Sequence, residues 1–273
     1  MAVRRGRRGC RVTRTDRTVP IRGGAVRFRV LTAGSGPDLV WFHSFHDRSV
    51  WPPVLDALAT RFTVHAPFHP GVQGSEGVER VDDVVDLALA YDELLGALGL
   101  ASAHLAGHFF GGMVAAELAS ICPGRAKKVV LISPLGLWLD VKPVADVVIL
   151  PPGELRAIMW TDPESPAARE WAMLPQTEEE NVAAQIEQIQ RLSAMGKLVW
   201  PIPDKGLKKR LHRLVAPALL LWGADDRANP PVYAEEFARL IRGAEIWMLP
   251  GGHMLHLESS DAVAEATVQF LSS

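Results

Sequence analysis

Cysteine is nearly absent from this chain, with only Cys10 and Cys122 in 273 residues. Two thiols, one in a polar tail and one ending an apolar helix pattern, make no disulfide framework. A reducing, cytoplasmic setting is the expected one. No apolar run is long enough to cross a bilayer, so no membrane-spanning segment is expected. The N-terminal arginines are not followed by an apolar stretch, which argues against a secretory signal. No linker-like shift in composition divides the chain, and no internal repeat is visible.

What is present is ordinary globular composition, 48% hydrophobic and 22% charged, enough to bury a sizeable core. Charge is uneven. Residues 1–17 hold seven arginines against the single acid Asp16, a balance of +6; the whole chain carries −2, which leaves −8 on residues 18–273. An acidic body offers no basic face to continue a nucleic-acid or membrane arm. Residues 1–17 therefore read as a basic disordered extension, such as a start codon set too far upstream would leave. Neither nucleic acid nor membrane is expected as a partner.

Hydrophobic patterning supplies the fold class. Ala25 to Leu31 alternates, as an antiparallel edge strand would. Apolar runs at Leu39–Phe42, Ala103–Ala106, Val129–Ile132 and Ala218–Trp222 suit strands covered on both faces, and Phe62–Ala66 reads as a further strand. Between them fall helical patterns near Trp51–Thr60, Val84–Leu98 and Phe110–Ile121. Helices over Pro231–Ile241 and Asp261–Leu271 flank a further strand, Glu245–Leu249. Alternating strands and helices imply an α/β fold with a mostly parallel central sheet and helices on both faces. The alternation stops after Ser133. Residues 135–214 are proline-interrupted and helical, with Trp160, Trp171, Trp200, Met159 and Met173, and read as an inserted helical cap. Residues 18–134 and 215–273 then form the core. Glu178, Glu179 and Glu180 read as a solvated helix face.

Three stretches carry chemistry. Gly107-His108-Phe109-Phe110-Gly111 sits between a strand and a helix, the context of a Gly-x-Ser-x-Gly nucleophile elbow. Its central residue is Phe109, which has no nucleophilic atom. Trp222-Gly223-Ala224-Asp225-Asp226 puts a carboxylate just after one strand. Pro250-Gly251-Gly252-His253-Met254 puts an imidazole just after the next. The order nucleophile, acid, histidine and the strand-end location fit a site at the carboxyl edge of an open α/β sheet.

With these motifs the chain from about residue 25 to 270 resembles the cap-bearing α/β-hydrolase fold family, with the elbow nucleophile replaced by phenylalanine. That resemblance implies Asp226 as the orienting acid and His253 as the base. It assigns the vacated nucleophile position to Phe109 and an oxyanion hole to the backbone N–H groups of Phe45 and Phe110. It implies no cofactor, and a mostly apolar small-molecule ligand or substrate in a pocket beneath the cap. His43-Ser44 stands where the family has His-Gly. His43, His46, His65 and His69 form two close pairs of a kind that suits zinc. His43 and His69, however, occupy positions where the family carries histidine without metal, so no metal is expected. His108 reads as a packing residue. Ser44 and Ser75 lie outside any elbow and make poor substitute nucleophiles. Three readings follow. One is a family member with impaired ester hydrolysis that binds a ligand. Another is a His253–Asp226 general-base enzyme of the lyase or cofactor-free oxygenase type. The last is a serine hydrolase in which one base change has turned a serine codon into phenylalanine.

Overall fold

A computed structural model describes residues 13–273 apart from 174, 176, 202 and 203. Among the described residues eight strands make one sheet: β1 (Arg14–Ile21), β2 (Val26–Ala33), β3 (Asp38–Phe42), β4 (Thr63–Pro67), β5 (Ala103–His108), β6 (Ala126–Ile132), β7 (Ala218–Gly223) and β8 (Glu245–Leu249). Their spatial order is β1-β2-β4-β3-β5-β6-β7-β8. The β1/β2 and β2/β4 pairs are antiparallel and every other pair is parallel. The mostly parallel sheet is the one the sequence pattern predicts, and the arrangement is the α/β-hydrolase fold that the resemblance implied.

The apolar runs have a simple cause. Alternate residues of each central strand enter different cores on opposite faces of the sheet. Val40, Phe42, Leu105, Val129, Leu131 and Leu220 face one core. Leu39, Trp41, Ala106, Val130, Ile132, Leu219 and Leu221 face the other. The first core is closed by α2 (Val84–Ala97), α3 (Phe110–Ile121) and α7 (Val232–Leu240), and the second by α1 (Pro53–Leu58) and α9 (Ser260–Ser272). The short helix α8 (Leu255–Glu258) follows the His253 loop.

The amino-terminal expectation needs correction. Residues 1–12 of the proposed extension lie outside the described residues, but Arg14 to Arg17 form the first half of β1. That strand pairs with β2 over its whole length, from Arg14 opposite Ala33 to Ile21 opposite Val26. The outer edge is therefore β1, and β2 is paired on both sides. Only Val19 and Ile21 of β1 are buried, so backbone pairing and the Arg29–Asp16 ion pair (2.7 Å) hold it, with little hydrophobic pattern to read.

Strand–helix alternation stops after Ile132 and resumes at Ala218. The intervening residues carry α4 (Pro152–Met159), α5 (Pro166–Ala172) and α6 (Glu178–Val199). Serine and threonine side chains cap two of them: Ser165 accepts from the Ala168 N–H and Thr177 from the Glu180 N–H. Helix α6 exposes Glu178, Glu179 and Glu180 and buries Arg191, Ala194, Met195, Leu198 and Val199.

Candidate active site

The site grows from the junction of β5 and α3. A Cβ on Gly107 would lie 2.6 Å from the backbone of Gly111, and one on Gly111 would lie 2.0 Å from the Phe42 carbonyl oxygen. Only glycine permits that approach, so the chain turns sharply at Phe109. Phe109 has φ 48° and ψ −106°, a strained conformation costing about 1–3 kcal/mol. Its backbone is clamped by three hydrogen bonds. The Phe109 N–H donates to Ile132 O (2.9 Å), and Phe109 O accepts from the N–H of Met113 (2.9 Å) and of Leu135 (3.0 Å).

The loops after β7 and β8 bring Asp226 and His253 together. His253 Nδ1–H donates to Asp226 Oδ2 at 2.9 Å. The second carboxylate oxygen, Oδ1, accepts from the backbone N–H of Ala228 (3.0 Å) and Asn229 (2.8 Å). Three donors on one buried carboxylate fix its rotamer and hold the imidazole in a single tautomer. Asp225 is exposed, which separates it from this pair. His253 is fully buried, and its Nε2 has no hydrogen-bond partner among the described residues. The Phe109 ring, also fully buried, meets the imidazole edge-on at 4.5 Å between centroids and 88° between planes.

Phe45 and Phe110 complete the junction. Phe45 follows β3, with its ring 5.6 Å from that of Phe109. Phe110 is the first residue of α3, where a helix has no internal acceptor for its N–H. Neither backbone N–H finds an acceptor among the described residues. The inserted helices reach these loops. Trp171 Nε1–H donates to His46 O (3.0 Å), the Met254 N–H to Met159 O (2.9 Å) and Arg227 Nη2 to Trp160 O (2.9 Å). Beside them opens a cleft of about 460 Å³ whose lining includes Arg48, Trp51, Trp160, Glu170, Trp171 and Met173.

The four sequence-flagged histidines separate into different roles. His69 donates through Nε2–H to His43 O (2.9 Å) and accepts at Nδ1 from Tyr91 OH (2.6 Å); its backbone N–H donates to His43 Nε2 (2.9 Å). His43 Nδ1–H donates to Ser44 O (3.1 Å). His65 bonds Asp38 (2.9 Å) and Thr32 (3.3 Å). Every ring nitrogen of these three is engaged, which leaves no lone pair for an ion. Burial pushes the His43 imidazole down to about 4 and His69 well below its ordinary value, so both are neutral. His46 differs: it is buried, its Nε2 has no partner among the described residues, and burial followed by the His253 and Arg191 charges lowers it to about 3. Ser75 Oγ is engaged by Phe68 O (2.8 Å) and the Arg29 N–H (2.9 Å). Ser44 Oγ is buried without a partner and makes no hydrogen bond to His253.

Sequence reasoning missed a second acid–histidine pair. His256 Nε2–H donates to Asp47 Oδ1 at 2.9 Å, while Asp47 Oδ2 accepts from the Ser44 N–H at 2.7 Å. Burial raises the Asp47 carboxyl, but the His256 and His108 imidazoles and the Ser44 amide outweigh it and hold the group well below the usual carboxylate range. His108, predicted to pack, does so between the two pairs. Its ring lies 4.7 Å from His253 and 4.4 Å from His256, and Nε2–H donates to His253 O (2.9 Å). Potential ligand atoms of Asp47, His108 and His256 lie within 4.8 Å of one another. The pair's own hydrogen bond already occupies that space. With 209 residues between Asp47 and His256, no local motif announces the contact.

Comparison with known proteins agrees with this architecture. The sequence profile of the alpha/beta hydrolase family matches residues 30–266. A dihydrolipoyllysine-residue acetyltransferase component of an acetoin cleaving system from Pseudomonas putida is 28% identical over 91% of this chain and 67% of its own length. The polyketide synthase ThaQ of Burkholderia thailandensis is 26% identical over 91% of this chain but only 12% of its own length, so the chain spans a fraction of that relative. Among solved structures, the 2-hydroxy-6-oxo-6-phenylhexa-2,4-dienoate hydrolase of Rhodococcus sp. strain RHA1 superposes with a TM-score of 0.76, at 24% identity, over 96% of this chain and 100% of that one. That likeness is one of fold.

Proposed function

The chain belongs to the alpha/beta hydrolase family, and from that premise we propose that it binds a small molecule without acyl-enzyme chemistry. The observation that carries this reading is the Phe109 ring, buried at the elbow and edge-on to His253 at 4.5 Å. Acyl transfer needs a nucleophilic atom within hydrogen-bonding reach of the base. A benzyl group offers none, and its ring fills the volume an acyl carbon would occupy. What remains in such a site is binding plus any oxyanion stabilisation, roughly 10³–10⁴-fold over water. In this reading residues 135–214 are a cap over the strand ends, supported by the Trp171–His46 and Met254–Met159 bonds. The N–H groups of Phe45 and Phe110 are oxyanion donors left without a reaction.

A second reading is favoured by the His253–Asp226 bond at 2.9 Å and the unpartnered Nε2. An oriented imidazole with a free lone pair can abstract a proton from a bound ligand without a nucleophile. The test of the first reading is direct. The purified protein is incubated with a fluorophosphonate probe and assayed on short p-nitrophenyl esters. No labelling and background turnover are expected. Stoichiometric labelling of one serine refutes the reading and identifies a substitute nucleophile, with Ser44 the first candidate.

A further inference from the structure

The interior beside the dyad holds more unused hydrogen-bonding capacity than a relic would keep. Buried polar groups are ordinarily satisfied, and each orphan costs about 1–3 kcal/mol. Several nitrogens are orphaned there among the described residues; the Nδ1 atoms of His108 and His256 lie within the stacked histidines, and three more stand on separate elements: His253 Nε2, His46 Nε2 and Arg191 Nε. Their residues are 0%, 6% and 5% exposed.

Arg191 is the informative one. It lies on the buried face of α6, and its only ion pair among the described residues is one contact between Nη1 and Glu187 Oε1 at 3.3 Å. The same Glu187 oxygen is shared with Gln73 Nε2. Arg191 Nε is buried without an acceptor, and the one side-chain hydrogen bond of this guanidinium among the described residues is made by Nη1, so the Nε edge, which can grip a carboxylate with two parallel bonds, is not used. The neighbouring turns of α6 fix where this edge sits. Glu187 bonds Gln73, and Ala194 Cβ would be 3.3 Å from a Cβ on Gly71, so α6 lies over the loop that follows His69. The charge of Arg191 reaches His43, His46, Asp47 and Arg48.

The charges do not balance around it. Arg48 stacks over Trp171 at 4.8 Å, and burial together with the Arg191 charge lowers its basicity. The nearby anion, Asp47, is engaged by His256 and the Ser44 N–H. Glu187 is 39% exposed, so water weakens its pull. Arg48 and Arg191 thus repel one another, and the carboxylate paired with Arg191 is screened by water. A buried guanidinium with a free fork is stabilised best by a ligand carboxylate.

Resting on the ligand-binding reading above, we infer that Arg191, assisted by His46, is the anchor for a carboxylate group, and that the protein's ligand is a small organic acid anion rather than a purely apolar molecule. The guanidinium would take the carboxylate oxygens side-on, with His46, whose ring lies 4.5 Å from that of Phe45, as the second donor.

The test uses the full chain and four acid–amide pairs as probes: acetate, butyrate, benzoate and phenylacetate, each against its primary amide. Binding is read by titration calorimetry and saturation-transfer NMR. At least one carboxylate should bind, with its amide about 10-fold weaker or worse. Arg191→Lys should weaken the acid by about 10-fold, because it keeps the charge and loses the fork. Arg191→Gln should remove acid binding and leave any amide affinity unchanged. The wild-type comparison of acid with amide needs no variant, so a poorly folded substitution does not spoil it. If amides bind and acids do not, or if acid affinity ignores both Arg191 variants, the carboxylate anchor is wrong and the pocket reading stands. If none of the eight probes binds, both are overturned.

Discussion

Replacing Phe109 by serine tests how much of the hydrolase machinery survives around the elbow. The substitution removes a fully buried ring. Large-to-small changes of this kind typically cost about 3–5 kcal/mol, part of it for the cavity left behind. Two effects reduce the loss here. A smaller side chain carries less strain at φ 48°, and the space left opens toward the orphaned His253 Nε2, where water can make a hydrogen bond. A net loss of about 2–4 kcal/mol follows, or a fall in Tm of roughly 5–15 °C for a chain of this size. Against that stands the gain in chemistry. The elbow backbone is clamped independently of the side chain, by Ile132, Met113 and Leu135, so the introduced serine Oγ would project where the Phe109 ring now meets His253. Asp226 already holds the base in the tautomer that accepts a proton at Nε2. A working general base contributes about 10²–10⁴-fold. The assay is p-nitrophenyl acetate hydrolysis and fluorophosphonate labelling by Phe109→Ser, beside a Phe109→Ser/His253→Ala control, with circular dichroism to establish folding. We expect the single variant to exceed the double by about 10²-fold or more and to label at position 109. Equal background rates in two folded proteins would refute the reasoning and mean that the site has drifted beyond one side chain.

Two other predictions follow from the buried charges. His256→Ala strands the Asp47 carboxylate in the interior and should cost about 3–5 kcal/mol in urea denaturation; adding Asp47→Asn should recover part of it, and strictly additive losses would contradict a coupled pair. Stability should also fall as pH drops from about 6.5 toward 4. The folded state holds His43 neutral down to about 4, while the unfolded chain takes up its proton near 6.5. The stabilisation is therefore present above 6.5 and lost below it, roughly 3 kcal/mol from His43 alone. Urea midpoints at pH 7.5, 6 and 5 read this directly, and a flat profile over that range would contradict the buried neutral state.

The fold was legible where burial imposes composition. β3, β5, β6 and β7 are covered on both faces, so their runs are apolar nearly throughout, broken in β5 by His104, and stand out by eye. The elbow was legible because Gly107 and Gly111 are demanded by backbone approach, and Asp226 and His253 because each follows a strand at a fixed offset. β1 was not, since a solvent-facing edge strand needs only backbone partners, and Arg14, Asp16 and Arg17 look like tail. Arg191 was hidden for a related reason. Its helix reads as polar nearly all round, with Glu178, Glu179 and Glu180 exposed at one end and the arginine turned inward three turns later. The Asp47–His256 pair has no sequence signature at all, because its two halves belong to loops that meet only after the sheet has formed.

The fate of the dyad separates a relic from a working binder. Asp226 has a structural reason to persist: its carboxylate satisfies the N–H groups of Ala228 and Asn229, and that turn positions Asn229 to bond Ser133 O and Pro134 O. Losing it would loosen the loop whether or not any reaction occurs. His253 has no comparable excuse. Its Nδ1 bond to Asp226 could be replaced by a smaller donor, and its carbonyl, the acceptor for His108, belongs to the backbone. Its Nε2 is a cost in the empty fold, a buried nitrogen facing a phenyl edge. The same holds for His46 Nε2 and for the free edge of Arg191. The rings of His253 and His46 pack against Phe109 and Phe45, but a carbon-only side chain could supply that packing without leaving a nitrogen unpaired. The coexistence of the three orphans on three separate loops and helices is what the proposed carboxylate ligand would account for, since it brings acceptors and a negative charge to all three. The phenylalanine at the elbow then closes the floor of that site rather than merely spoiling a triad.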